Sequence, residues 1–180
     1  MLLTGLLPDI TTDPAIETAT DSVEAGRSGT IVAPVGIRPP LLAAVASRAA
    51  TPLVVLTATG RDAESLTNAL ASWIPGVAML PAWETLPHER LSPQVDTMAR
   101  RIAVLRRLVH PIKGDDSAGP ISVLVVPIRA FLQPIISGLA DLEPVRVRKG
   151  DILDLSETTN RLAELGYERV DMVEGRGQMS

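Results

Sequence analysis

The sequence predicts an α/β protein with a mostly parallel β-sheet, and three features of its pattern support this fold class. Short runs of β-branched and aliphatic residues alternate with longer segments of helical periodicity. The clearest short runs are apolar throughout, which is typical of parallel strands covered on both faces. Aromatic residues make up only 2% of the 180 residues, so the core has to be aliphatic. Alternating strands and helices indicate βαβ units.

The first predicted element follows an acidic leader, residues 1–28. Up to Gly26 the leader contains five acidic residues and no lysine or arginine, so we expect it to be weakly structured, with a solvated helix over residues 15–25 as the alternative. Gly29–Val35 is predicted as a buried strand and Pro39–Ala50 as a helix with proline in its first turn. Leu53–Thr57, apolar on both faces, is predicted as a central parallel strand.

A second helix, a third strand and a loop are predicted next. The helix begins with capping-box spacing at residues 59–62 and ends at Pro75-Gly76. Its apolar face contains Leu66, Ala69, Leu70 and Trp73. Val77–Leu80 is predicted as the strand, and the proline-rich segment 81–93 as the loop.

The following helix has the most regular apolar periodicity of the chain. We expect its buried face to contain Val95, Met98, Ile102, Leu105 and Val109. Asp96 and Arg100 have the spacing of a supporting ion pair. A flexible surface loop (113–120), an apolar strand (121–126) and a short helix (128–133) complete this part.

Near Glu143-Pro144 the pattern changes, and residues 144–180 are predicted to begin a second domain that the chain does not finish. Residues 145–149 alternate apolar and basic side chains, which predicts a half-exposed strand. Ser156 is predicted to cap a helix that buries Leu162 and Leu165 and ends at Gly166. The strand predicted at 167–173 should then have an unpaired edge.

Composition excludes several classes of protein. The absence of cysteine rules out disulfides, thiolate metal sites and a cysteine nucleophile, and two histidines leave little for a histidine-rich metal centre. No apolar run reaches the roughly 18 residues of a membrane span, and no signal peptide is evident, so we expect a cytoplasmic protein. The net charge of −4 argues against a general nucleic-acid binder.

The position where the first strand meets the first helix is where a parallel α/β protein would bind a nucleotide. A phosphate-binding loop there needs glycines, a lysine and a hydroxyl residue. The segment Ala33–Leu41 retains Gly36 but has Arg38 and three prolines instead of that pattern, and the two lysines of the chain, Lys113 and Lys149, are distant in sequence. We therefore expect a degenerate nucleotide site, no bound cofactor and no ATP hydrolysis by this segment.

Other constellations have a functional and a structural interpretation. Glu84, His88 and Glu89 could form a metal or acid–base cluster, although solvent-facing residues around an anchoring tryptophan are favoured. Asp141 and Glu143 are predicted to be loop charges. Four arginines of one helix could contact phosphates, although a solvated helix face is favoured; they are Arg100, Arg101, Arg106 and Arg107. No serine or threonine has a positioned histidine, so no catalytic residue and no metal site is predicted.

Three stretches resemble one family. Residues 80–93, with the helix that follows, are similar to the N-terminal hallmark segment of the bacterial transcription-repair coupling factors (Mfd). Residues 125–134 resemble the next strand and turn of that family, and residues 165–173 with Gly177 resemble the approach to its Arg-Gly-Gly strand. The resemblance runs from about Gly29 to Ser180.

The resemblance implies a fold and a role. Members of the family displace stalled RNA polymerase by ATP-driven translocation on DNA and recruit the repair protein UvrA. Their N-terminal part mimics UvrB, with a RecA-like domain that has lost its ATP site and an inserted UvrA-binding module. The resemblance thus implies that residues 29–143 begin the RecA-like domain and that residues 144–180 begin the insertion.

A protein-interaction segment without catalytic activity is therefore the leading hypothesis. In the completed module, the basic residues that would face UvrA, or the C-terminal domain of the protein itself, are Arg146, Arg148, Lys149, Arg169 and Arg176. ATP and Mg²⁺, RNA polymerase and DNA would be bound by other domains, and no membrane contact is expected. A helicase-like enzyme with an unusual phosphate loop and a DNA-contacting domain stay open as alternatives.

Overall fold

The computed structural model describes residues 3–84, 94–147, 149–175 and 177–180. The helices and strands of these ranges are α1 (Leu7–Thr11), α2 (Pro14–Glu24), α3 (Arg38–Arg48), β1 (Leu53–Thr57), α4 (Gly60–Leu70), β2 (Val77–Met79), α5 (Val95–Val109), β3 (Val123–Pro127), α6 (Ile128–Phe131), α7 (Leu155–Glu164), β4 (Glu168–Arg169) and β5 (Gln178–Met179). Short 3₁₀ turns occur at Thr4–Leu6, Val35–Ile37 and Leu139–Asp141.

A small parallel sheet with strand order β1-β3-β2 forms the centre of the fold, as the α/β prediction requires. Strand β3 is central and buried along its whole length, because β1 and β2 pair with its two edges. The prediction that residues 53–57 form a central strand was wrong. Strand β1 lies at the edge of the described sheet, and its Val54 and Leu56 side chains are about half exposed.

The acidic leader is helical, so the prediction of weak structure was wrong and the alternative of a helix is confirmed. Asp13 caps α2 by accepting hydrogen bonds from the backbone amides of Ala15 and Ile16. Both leader helices contact α3, and the Ala19 side chain is buried in that contact. The leader is therefore amphipathic, with its acidic residues exposed and its apolar face packed against α3.

The strand predicted at residues 29–35 is absent, and the prediction was wrong. Residues 29–34 lie outside any helix or strand, and the Val32 side chain is 96% exposed. Pro34 lacks an amide for a strand ladder, and the 3₁₀ turn from Val35 redirects the chain into α3. These apolar residues therefore do not contribute to the core.

Helix α4 begins as predicted, since the Thr59 side chain caps it and Leu70 is fully buried, but it ends at Leu70, before the predicted stop at Pro75-Gly76. Helix α5 has the predicted bounds and its Asp96–Arg100 ion pair. Its buried face was predicted only in part, because Leu105 is buried whereas Val95, Met98 and Val109 are exposed. The residues it buries are Thr97, Arg101, Val104 and Leu105. The helix is rotated so that a buried guanidinium replaces part of the expected apolar face.

Residues 144–180 contain helix α7 and a two-stranded parallel sheet, β4-β5. The cap of α7 is Asp154 rather than Ser156, and Gly166 ends the helix with a left-handed φ of 87° as expected. Residues 145–147 and 149 form no strand, so that prediction was wrong. The edge predicted to be unpaired at 167–173 is paired in part, since Glu168 and Arg169 are in register with Gln178 and Met179. Within the described ranges no helix is long and apolar enough to cross a membrane.

Candidate functional site

A broad cleft of about 1140 Å³ lies at the carboxyl end of β1, where a nucleotide site was considered. Its walls are the 31–36 segment, the first turn of α3, the end of β1 and one face of α4. Most of its lining side chains are aliphatic, and the charged ones among the described residues are Arg38 and Asp62. The Asp62 carboxylate already accepts a hydrogen bond from the Thr59 hydroxyl. The cleft is therefore an apolar surface with little charge.

The N-terminus of α3 supplies few of the amide donors that a phosphate needs. Of the first four residues of this helix, Pro39 and Pro40 have no N–H group, and the amide of Arg38 already donates to the Val35 carbonyl. The amide of the N-cap residue Ile37 likewise donates to the Pro34 carbonyl, at 3.0 Å. Gly36 lies in the exposed 3₁₀ turn, Ala33 is half-buried before it, and the lining contains no lysine. These residues do not fit the phosphates of ATP or their Mg²⁺ ion.

Trp83 and Glu84 are held by Gln133, just after α6, and by Thr97 of α5. The Gln133 side chain accepts a hydrogen bond from the Trp83 amide and donates one to the Trp83 carbonyl, at 2.8 and 3.3 Å. The Thr97 hydroxyl donates to the Glu84 carboxylate, and this bond lowers the pKa of Glu84. Glu84 thus has a structural partner, while His88 and Glu89 of the predicted cluster lie outside the described residues.

Arg101 corrects the prediction that the four arginines of α5 form a solvated face. Its side chain is 1% exposed, donates to the Pro81 carbonyl at 2.6 Å, and lies 4.5 Å from the centroid of the Trp83 ring. Burial lowers the pKa of Arg101, and its Nε atom has no hydrogen-bond partner among the described residues. Arg101 is therefore a support for the Trp83 segment and cannot reach an external phosphate. Arg100, in contrast, is exposed and paired with Asp96.

A second and smaller cavity, about 330 Å³, lies beside the C-terminal half of α5. We name it the arginine pocket, after Arg106, Arg107 and Arg146, which line it with His110 and Ser117. Sequence reasoning did not group these residues. The sequence shows that Arg106 and Arg107 are adjacent. It does not show that Arg146 lies beside them, because the loop that precedes β3 and the chain after residue 141 bring Arg146 there.

The acidic residues around the arginine pocket pair with its rim. Asp141 contacts His110 at 2.7 Å, and Glu143 lies 3.9 Å from Arg106, so these predicted loop charges have basic partners. Asp115 pairs with Arg146 at 3.2 Å. Hydrogen bonds from the Ser117 hydroxyl and from the amides of the same loop lower the pKa of Asp115 to about 2. The loop predicted to be flexible is thus organised around one carboxylate.

The remaining predicted partner-binding residues are dispersed. Lys149 is exposed in a turn and Arg169 is exposed on β4, whereas Arg146 is engaged with Asp115. Arg148 and Arg176 lie outside the described residues. Across the part of the chain that the structure describes, no group of three or more acidic or histidine side chains is arranged to hold a metal ion.

Comparison with known proteins gives relatives of one kind, although no protein-family profile matches the chain. The transcription-repair-coupling factors of Mycobacterium bovis and Mycobacterium tuberculosis are each 46% identical over 154 residues, which cover 84% of this chain. The transcription-repair-coupling factor of Escherichia coli is 27% identical over 140 residues, or 77% of the chain. The chain spans only 12% of the length of each of these relatives.

Proposed function

Because the chain is homologous to the transcription-repair-coupling factors (Mfd), we propose that it is the UvrB-like part of such a factor and acts in transcription-coupled DNA repair. The observation that carries this proposal is the 46% identity over 154 residues. The parallel βαβ core supports a degenerate RecA-like domain over residues 29–143. In this proposal the leader helices belong to the same unit, because they pack on α3.

The proposed role is protein interaction without catalysis. The cleft at the end of β1 lacks a lysine, and the prolines of α3 leave few amide donors, so this segment would not hydrolyse ATP. ATP, Mg²⁺, DNA and RNA polymerase would be bound by parts of the factor that correspond to the remainder of its relatives. A factor of this kind would work in the bacterial cytoplasm.

UvrA is the proposed partner of residues 144–180, with the C-terminal domain of the same factor as a competing partner at rest. The basic side chains Lys149 and Arg169 are exposed there and could meet an acidic surface. Arg146 would contribute only if it left Asp115, which makes it the weaker of the described candidates. Arg148 and Arg176 complete the proposed set from sequence alone.

A titration of UvrA against this chain tests the proposal. We expect saturable binding by the unmodified chain and weaker binding by a Lys149→Glu, Arg169→Glu double variant. Arg61→Glu, at an exposed position of α4, is the matched control and should bind normally. Equal affinity of the double variant and the control would contradict the placement of the surface, and no binding by any folded chain would contradict the UvrA role.

A nucleotide-dependent enzyme is the second candidate, and the position of the large cleft at the carboxyl end of a parallel strand favours it. The two candidates differ in their response to ATP. A titration monitored by the fluorescence of Trp73, which lines the cleft, should show no saturable change if our proposal is right. Saturable binding that Arg38→Glu abolishes would favour the enzyme instead.

A further inference from the structure

The arginine pocket has features of a binding site that the proposed function does not use. Arg106, Arg107 and His110 lie on one face at the C-terminal end of α5, because together with Ala103 they have i, i+3, i+4 and i+7 spacing. The loop at residues 117–118 and the chain at 144–146 close the other sides. Three guanidinium groups, two from α5 and one from residue 146, therefore line a space of about 330 Å³.

Arg107 has side-chain donors that none of the described residues uses. Its Nε atom donates to the Gly119 carbonyl at 2.9 Å, which fixes the orientation of the guanidinium plane. Its two terminal nitrogens have no hydrogen-bond or ion-pair partner among the described residues. Burial lowers the pKa of Arg107, yet an arginine keeps its charge in a protein. A partly buried, oriented and unpaired guanidinium is well suited to a planar or tetrahedral oxyanion.

Arg106 also has a side-chain donor without an acceptor among the described residues. One of its terminal nitrogens donates to the carbonyl of Leu142 at 3.0 Å, while its Nε atom is buried without a partner among the described residues. Its carboxylate neighbour, Glu143, is 3.9 Å away and has a side chain that is 73% exposed. That ion pair is screened by solvent and leaves most of the Arg106 charge uncompensated.

We propose that the arginine pocket binds a phosphate group, with Arg107 as its principal ligand and Arg106 and Arg146 as supporting ligands. The charges of these three arginines are formally balanced by Asp115, Asp141 and Glu143. None of the three carboxylates lines the cavity, so an anion inside it meets the guanidinium groups first. The net charge of the groups around the pocket is near zero, and the C-terminal carbonyl groups of α5 repel an anion nearby. The affinity for phosphate therefore depends on directed hydrogen bonds, and the dissociation constant should be in the low millimolar range.

The amides of Ser117 and Ala118 supply a local probe, because they donate to Asp115 beside the pocket. Inorganic phosphate is titrated into the ¹⁵N-labelled chain, with sodium chloride at equal ionic strength as the reference. We expect a saturable change in these amide resonances with phosphate and not with chloride. A change that chloride reproduces would overturn the proposal, because it would report only screening of the surrounding ion pairs.

Substitutions separate the pocket from the rest of α5. Arg107→Gln should weaken phosphate binding by about tenfold or more, through loss of a charge-assisted bidentate contact. Arg100→Gln, which removes an exposed arginine from the same helix, should leave the dissociation constant unchanged. Equal binding by Arg107→Gln and Arg100→Gln would overturn the proposal. If Arg107→Gln does not fold, Arg146→Gln, at an exposed position, replaces it and is held to the same criterion.

A phosphate group could come from a small molecule or from a nucleic-acid backbone, and a competition experiment distinguishes them. Short single-stranded oligothymidylate is added to the phosphate-bound chain at equal phosphate concentration. Displacement that depends on Arg107 would identify phosphodiesters as ligands, whereas retention of phosphate would identify a small phosphate or monoester. Both of these results are consistent with phosphate binding in the arginine pocket. If the oligonucleotide displaces phosphate equally well from Arg107→Gln, it binds elsewhere, and the proposal that it shares the pocket with phosphate is overturned.

Discussion

Gly76 joins α4 to β2, and adding a single methyl group there should destabilise the protein strongly. Its φ of 75° lies in the left-handed region, which costs an L-residue about 1–2 kcal/mol. A Cβ atom on Gly76 would also lie 2.8 Å from the Pro120 carbonyl oxygen and 2.8 Å from the Ser122 hydroxyl. Relieving this overlap would move the backbone that carries the 2.8 Å hydrogen bond from the Ser122 amide to the Gly76 carbonyl.

Overpacking of this kind costs about 1–3 kcal/mol, so the Gly76→Ala substitution should lower the free energy of unfolding by about 2–5 kcal/mol. For a chain of this length each kcal/mol shifts Tm by roughly 2–4 °C. Gly114→Ala is the matched control, because Gly114 has a φ of 82° with nothing within 4 Å of a built Cβ. Its free energy of unfolding should fall only by the cost of a left-handed φ in an L-residue, about 1–2 kcal/mol.

Urea unfolding followed by circular dichroism measures both changes, and the slope of the transition shows whether the two-state assumption holds. The difference between the two variants isolates the overlap with Pro120 and Ser122. Equal losses in Gly76→Ala and Gly114→Ala would refute the argument that the α4–β2 turn is held against the start of β3. A Gly76→Ala variant as stable as the unmodified chain would also refute the assigned backbone conformation.

Three further predictions concern the core, the helix rotation and the loop before β3. Leu70→Ala should lower the free energy of unfolding by about 2–5 kcal/mol in urea titrations, because the Leu70 side chain is 0% exposed. Val104→Asp should prevent stable folding, as judged by loss of amide dispersion, whereas Met98→Asp should fold normally, since only Val104 is buried. The lowered pKa of Asp115, about 2, means that its charge contributes stability above about pH 4 that is lost as the pH falls towards 2. Tm should therefore fall less steeply over this range in Asp115→Asn than in the unmodified chain.

Local patterns predicted the helices well because their signals lie within a few residues. The Thr59 cap of α4 could be recognised from spacing alone, although α4 ends at Leu70 rather than at Pro75-Gly76, and the bounds of α5 followed from its periodicity. The leader was wrongly predicted to be weakly structured because the prediction was based on its acidic composition. Its acidic residues are on the solvent side, and two of them, Asp21 and Glu24, hold Arg48 of α3 by contacts that sequence distance concealed.

Sheet position and the rotation of α5 could not be predicted for a different reason. An apolar run such as Leu53–Thr57 indicates a strand but does not say which neighbours it acquires, and here β3 takes the central place. The burial of Arg101 depends on the Trp83 ring and on the Pro81 carbonyl, which is 20 residues away in the sequence. Periodicity assigns charged side chains to solvent, so a buried, stacked guanidinium is what it misses.

The two cavities lead to opposite conclusions about phosphate, and the reason lies in where their donors come from. The cleft at the end of β1 has the location of a nucleotide site, but Pro39 and Pro40 remove the amides that would have made it one. The arginine pocket does not lie where parallel α/β proteins usually bind nucleotides, yet Arg107 has oriented terminal nitrogens without a partner among the described residues. Position in the fold alone would predict phosphate binding in the cleft at the end of β1, whereas the number of available hydrogen-bond donors predicts it in the arginine pocket. A homologue that retains the prolines and lacks Arg107 should bind phosphate in neither cavity, because the number of available donors, rather than the fold, determines binding.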